Sequence, residues 1–275
     1  MAVFQALADV YPGQFHVELA MSLSNQAGRL VQLQRRKQAL ATVTRALYIL
    51  QQLGEPLPDG YLPVLAKVLT VQSAVLTGLQ HSEESLTAAD RAVEIYEPLV
   101  EEQPDTSRAD LAAALNNQSI QLARLGRHEE ALAANVRTIE IYRLLAEDHP
   151  DPFLADLGVM WANQVNRLGE LERHEEALTA ADRAVEVFEV LAVEHPDAYL
   201  PQLAVILTNK AIGLGDLGRD EEALTAVDRA AEIYRELAAR TPEAFLPQLA
   251  VALHNLSLRL ALVGRHREGC SQLTG

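Results

Sequence analysis

One cysteine, Cys270, stands in 275 residues. No internal disulfide can form, so an oxidising compartment is not implied, and the clustered cysteines of a zinc ribbon or redox motif are excluded. Aromatic residues are scarce too, at 5% of the sequence with a single tryptophan, although 49% of all residues are apolar. Alanine and leucine carry most of that apolar share, which favours helices packed through small and medium side chains over a β-sandwich. Basic residues are in deficit: 23 Lys and Arg face 38 Asp and Glu, for a net charge of −15 and a pI near 4.9. A surface of that sign is a poor match for phosphate, so no nucleic-acid partner is expected, and the charge reads first as solubility. No run of about 18 consecutive apolar residues exists to span a membrane. The first residues, MAVFQALADVYPG, show neither a basic start, a long apolar run nor a cleavage site. The expected setting is cytoplasmic, with no membrane partner.

What the chain has in abundance is itself. Gly126-Arg127-His128-Glu129-Glu130-Ala131-Leu132 returns as Glu172-Arg173-His174-Glu175-Glu176-Ala177-Leu178 and as Gly218-Arg219-Asp220-Glu221-Glu222-Ala223-Leu224. A weaker copy begins at Gln80 and a broken one at Gly264, each 46 residues after the last. Pro recurs at 12, 58, 104, 150, 196 and 242, and Leu at 30, 76, 122, 168, 214 and 260. A fixed period of this size marks a solenoid of stacked units. The repeated segment reads as a helix–turn–helix corner: a Gly suited to the left-handed conformation ends one helix, and the Glu pair sits in the first turn of the next.

Two amphipathic helices fit within each unit. The first is predicted over about Phe153 to Leu171, with Leu157, Trp161, Leu168 and Leu171 on one face; the second over about Glu175 to Glu194, with Leu178, Ala181, Val185, Phe188 and Leu191. The i,i+3 pairs Arg91/Glu94, Arg137/Glu140, Arg183/Glu186 and Arg229/Glu232 mark the solvated face. His195-Pro196-Asp197 breaks the second helix, and Pro201 is expected in the first turn of the next one. Neither helix can bury its apolar face alone, so stacking stabilises the unit. Residues 1–11 read as a partial second helix, with Val3 and Phe4 in its apolar columns. Residues 12–268 read as an array of five full 46-residue repeats plus the first helix of a sixth, and residues 269–275 as a truncated tail.

These columns resemble the tetratricopeptide repeat. Trp161, followed sixteen residues later by Ala177 and seven further by Ala184, with a proline closing the unit, matches that family's spacing. The period of 46 exceeds the family's usual ~34, and Gln164, Val165, Leu168 and Ala181 depart from its preferred residues. Lengthened repeats of kinesin-light-chain type are closer, on His149-Pro150-Asp151 and Leu115-Asn116-Asn117. HEAT and armadillo arrays share the period but give no reason for the corner or the Ala columns. The resemblance implies an all-α, right-handed α-solenoid of antiparallel helix hairpins, a superhelix whose first helices line a peptide-binding groove.

A mid-helix asparagine is mildly unfavourable, yet Asn25, Asn117, Asn163, Asn209 and Asn255 share one register, interrupted by Val71. Asn166 and Arg124 lie on the flanking stripes. Two readings are open: an amide ladder for peptide backbone, as the resemblance implies, or braces that fix helix stacking. Other motifs fail on context. Gly213-Leu214-Gly215-Asp216-Leu217-Gly218 fits G-x-G-x-x-G without a preceding strand, and His128-Glu129-Glu130-Ala131-Leu132 has Leu where a zinc protease needs its second His. We expect no enzyme, no metal and no cofactor. The expected role is a scaffold that binds a peptide or partner domain, the alternative being a regulatory arm of a larger signalling NTPase or regulator. The last first helix carries Phe245, Leu249, Leu253, Leu256 and Leu260, several of which are expected to pack back on the preceding repeat, while Val251, Leu258 and Leu262 lie to the other side. It is apolar nearly all round, and self-association through it is expected.

Overall fold

The computed structural model describes residues 15–53 and 60–273, the side chains of Asp105 and of residues 265–273 excepted. Among the described residues there are eleven helices and no strand. First helices are α1 (His16–Gln32), α3 (Tyr61–Gly78), α5 (Pro104–Arg124), α7 (Pro150–Glu170), α9 (Pro196–Asp216) and α11 (Pro242–Leu273). Second helices are α2 (Arg36–Gln51), α4 (Ser82–Glu102), α6 (His128–Asp148), α8 (His174–Glu194) and α10 (Asp220–Arg240). The chain forms two compact units, Met1–Ile141 and Tyr142–Gly275, the division falling within α6. Inside each unit, helices adjacent in sequence pack on one another, as the all-α hairpin array requires.

Every first-to-second corner is built alike. Gln34, Gln80, Gly126, Glu172 and Gly218, one residue per repeat, all take the left-handed conformation, with φ between 56° and 76°. The next amide reaches back to the repeated leucine: Arg35 to Leu30, His81 to Leu76, Arg127 to Leu122, Arg173 to Leu168 and Arg219 to Leu214, at 2.8–3.1 Å. This six-to-one bond satisfies a carbonyl that the helix end leaves unpaired. The arginine after it grips the second glutamate of the corner, Nε and Nη2 of Arg127, Arg173 and Arg219 donating to Glu130, Glu176 and Glu222 at 2.6–2.7 Å. Those hydrogen bonds hold the three carboxyls below their usual range.

Second-to-first corners use proline. Gln103, His149, His195 and Thr241 precede a proline and close the preceding helix by donating to Leu99, Leu145, Leu191 and Leu237 at 2.8–3.0 Å. Gln103, His149 and His195 have φ near −131° to −142°, extended as a residue before proline must be. The prolines 104, 150 and 196 occupy the first helical turn, where their missing N–H costs nothing.

Small residues set the packing distance. Ala92, Thr138, Ala184 and Ala230, one column of the second helices, are completely buried. On α7, a Cβ on Gly158 would lie 2.8 Å from Val187 Cγ1 and 3.1 Å from Phe188 Cζ, so the helix closes onto α8 only because that Cβ is missing. The Met1–Ile141 unit also buries polar side chains. Ser85 Oγ donates to the Ser73 carbonyl at 2.8 Å, and Gln121 Nε2 donates to Thr77 Oγ1 at 2.7 Å.

Four expectations are corrected. α7 and α9 begin at the HPD prolines Pro150 and Pro196 rather than three residues later, near Phe153 in the case of α7, so Pro201 lies beyond the first turn of α9 and removes a ladder bond there. Only Arg183 makes the expected i,i+3 pair, 3.0 Å from Glu186. Arg137 and Arg229 instead reach the preceding second helix, pairing with Glu97 and Glu189 at 2.8 and 2.5 Å, because stacking brings those carboxylates close. Finally, Gly264 does not turn the chain. Backbone helix continues to Leu273, since this copy of the corner lacks the Ala-Leu pair that would seat a second helix. The expected half-helix of residues 1–11 lies outside the described residues.

Candidate functional site

In the asparagine register Asn25 is exposed and Asn117, Asn163, Asn209 and Asn255 are half-buried, and its members are used differently in the two units. In the Met1–Ile141 unit, Asn117 Nδ2 donates across to the Thr70 carbonyl at 3.1 Å, and Arg124 Nη1 to the Thr77 carbonyl at 3.0 Å. Both acceptors belong to α3, so these side chains tie α5 to its neighbour. Thr77 lies in the last turn of α3, where carbonyls lack helical partners and welcome a cation. Asn25 is exposed on α1 and Val71 is half-buried on α3.

In the Tyr142–Gly275 unit the register borders open space. Four crevices lie between successive first helices. One of about 320 Å³, its surface nearly all carbon, is lined by Val159, Ala162, Phe188, Pro201, Gln202, Val205 and Ile206. A second, of about 480 Å³, brings Asn166 and Asn209 together with Arg167, His174, Lys210 and Asp216. A third, of about 330 Å³, holds Val205, Asn209, Tyr234, Gln248 and Val251, and a fourth, of about 310 Å³, holds Ile212, Asn255, Leu258 and Arg259. They share walls: Val205 serves the first and third, Asn209 the second and third, Ile212 the second and fourth. Asn163 is half-buried on α7 and lines none of these four.

Exposed apolar side chains alternate with the amides. Val159, Val205 and Val251 occupy one repeat position and are 41%, 48% and 57% exposed. Ile212 and Leu258 occupy another and are 48% and 50% exposed. Charges in the second crevice are internally matched: Arg167 lies 3.1 Å from Glu170, Lys210 pairs with Asp182, and His174 is 4.0 Å from Asp216. Arg167 and Lys210 escape the stripe reading of the sequence because each sits one residue off the asparagine or valine column. The arrangement therefore offers amide donors and acceptors between apolar pits, with little net charge.

The glycine-rich run of α9 belongs to this packing. A Cβ on Gly215 would overlap the Arg259 guanidinium, whose Nη1 is 3.2 Å from Asp220. A Cβ on Gly213 would lie 3.5 Å from Leu178 Cδ2, and Gly218 is the left-handed corner. Among the described residues no group of three His, Cys, Asp or Glu side chains gathers as a metal site.

No family profile matches the sequence, and no curated protein matches it. Solved structures do. BtubC (BKLC) from P. vanneervenii superposes with a TM-score of 0.68 at 16% identity, over 86% of this chain and 87% of that one. A Podosopora anserina putative kinesin light chain with nearly identical TPR-like repeats gives 0.62 at 15% identity, over 84% and 99%. YrrB, a TPR protein with an unusual peptide-binding site, gives 0.55 at 15% identity, over 91% and 96%. The fold is that of the tetratricopeptide-repeat proteins, in the lengthened form read from the 46-residue period.

Proposed function

We propose that the chain is a protein-interaction module that binds an extended peptide along the first-helix face of its Tyr142–Gly275 unit, with no reaction of its own. The observation that carries this reading is the row of four wall-sharing crevices in which exposed valines alternate with Asn166, Asn209 and Asn255. Apolar pits take side chains, while amides between them pair with peptide N–H and C=O groups. Helices packed side by side lie about 10 Å apart. A polyproline-type strand rises ~3.1 Å per residue and returns to the same face every three residues, about 9 Å. The ligand expected is thus uncharged in its core, with apolar residues at every third position. YrrB, which shares the fold, has a peptide-binding site, which lends support to this use of the fold.

Arrays of synthetic peptides with apolar residues at i, i+3 and i+6, probed with the whole chain, test the proposal. The hits are then titrated by fluorescence anisotropy. Asn209→Ala removes one amide and should weaken binding by about 3- to 10-fold, the equivalent of ~0.5–1.5 kcal/mol. Val205→Glu should weaken it more. Peptides that bind both variants as well as the native chain would refute the site.

A further inference from the structure

The far side of α11 carries a second surface, separate from the groove. Leu246, Leu253 and Leu260 are 53%, 39% and 53% exposed, and Ala250, Ser257 and Gly264 between them are exposed as well. The six residues run at alternating spacings of four and three, a seven-residue seam. None is charged. Leu249 and Leu256 face the other way, against α10, and Val251, Asn255 and Leu258 face the groove.

Earlier repeats show what such leucines pack on. Leu207 and Leu214, the counterparts of Leu253 and Leu260, are only 4% and 1% exposed, and Leu69 and Leu76 only 2% and 3%. Leu214 packs on Ala223 and Ala226, Leu122 on Ala131 and Ala134, and Leu30 on Ala39. In each repeat the leucine meets small residues on a second helix. α11 runs straight through Gly264, so among the described residues no second helix packs on its leucines.

We propose that the seam of α11 pairs with the same seam of a second copy, antiparallel about a twofold axis at the level of Asn255. In that register Leu246 of one copy faces Gly264 of the other, Leu253 faces Ser257, and Leu260 faces Ala250. Every leucine meets a small residue, six times over, and the backbones approach as closely as they do within the repeats. The match is a property of positions: each facing pair sums to twice 255, and no shift of one heptad preserves all six. A closed, isologous pair results, and the groove stays open because Asn255 lies on the opposite side of the helix. Residues 242–264 are also long and apolar enough to cross a membrane, but α3 passes the same test and is a core helix of its unit. Gln248, His254 and Arg259 interrupt α11 in the same way that Lys67 and Gln72 interrupt α3.

Sedimentation velocity on the whole chain from about 1 to 100 μM should show a monomer–dimer equilibrium. Leu253→Lys should leave a monomer throughout that range, with its circular dichroism unchanged. The deciding variant is Ala250→Leu, which adds apolar area but collides with Leu260 of the other copy, weakening the dimer by on the order of tenfold or more. Unspecific stickiness, or insertion into phosphatidylcholine vesicles, would instead strengthen with the added leucine, and either result would overturn the pairing. In a Cys270→Ser background, Ala250→Cys mixed with Leu260→Cys should form disulfides between unlike chains. A native chain monomeric at ~100 μM, or disulfides only between like chains, would also refute it.

Discussion

Replacing Gly126 by alanine and Glu172 by glycine should move stability in opposite directions, although both sit at the same place in their repeats. Both residues are left-handed, with φ of 76° and 56°, and both corners carry the six-to-one bond, Arg127 to Leu122 at 2.8 Å and Arg173 to Leu168 at 2.9 Å. An L-residue held left-handed costs about 1–2 kcal/mol through the clash of Cβ with the following carbonyl. Glycine avoids that clash but has more freedom to lose on folding, ~0.4–1 kcal/mol relative to alanine. The difference leaves Gly126→Ala destabilising by about 0.5–1 kcal/mol and Glu172→Gly stabilising by the same amount. Urea unfolding followed by far-UV circular dichroism reads this as opposite midpoint shifts at constant slope, and thermal unfolding as shifts of roughly 2 °C. The side chain of Glu172 is exposed, so its loss adds little else. If Glu172→Gly destabilised the chain, the corner would owe its shape to something the glutamate side chain supplies, and the strain account would fail.

Asn117 separates the two readings of the asparagine register. Its amide bonds the Thr70 carbonyl, so Asn117→Ala should lower stability by about 1 kcal/mol and leave peptide affinity intact, the reverse of Asn209→Ala; an unchanged urea midpoint would remove the brace. The Arg–Glu forks predict a pH dependence of definite sign. The carboxyls of Glu130, Glu176 and Glu222 titrate below their ordinary 4.5 when folded, so their contribution is complete above 4.5 and lost as pH falls through the lowered values. The effect is small because the pairs are exposed and salt screens them. A triple Glu→Gln variant at these positions should lose less melting temperature between pH 5 and 3 than the native chain does, as a differential scan would show, and parallel curves would mean the forks contribute nothing.

Much of the architecture is legible in the amino-acid order because the period is rigid. The prolines at 104, 150, 196 and 242 force an extended residue before them, so α4, α6, α8 and α10 end where the sequence says. The corner is legible too, but not for the reason its glycines suggest. Gln34, Gln80 and Glu172 adopt the same left-handed φ as Gly126 and Gly218, so packing of the two helices imposes the turn and glycine only relieves it. The start of α7 is less legible: it lies at Pro150, three residues before the place the apolar spacing suggests, because a proline reads as a breaker although it suits the first helical turn.

Side-chain partners lay beyond the sequence. The register alone marked the asparagines of both units as equivalent; only tertiary structure shows Asn117 and Arg124 bonded to α3 while Asn166, Asn209 and Asn255 border crevices. Likewise Arg137 and Arg183 share a column, yet one pairs across to another helix and the other within its own. Repetition along the chain specifies backbone, because each helix and turn depends on residues a few positions apart. Which groups meet depends on neighbours some 40 residues away, and those are brought together by stacking alone.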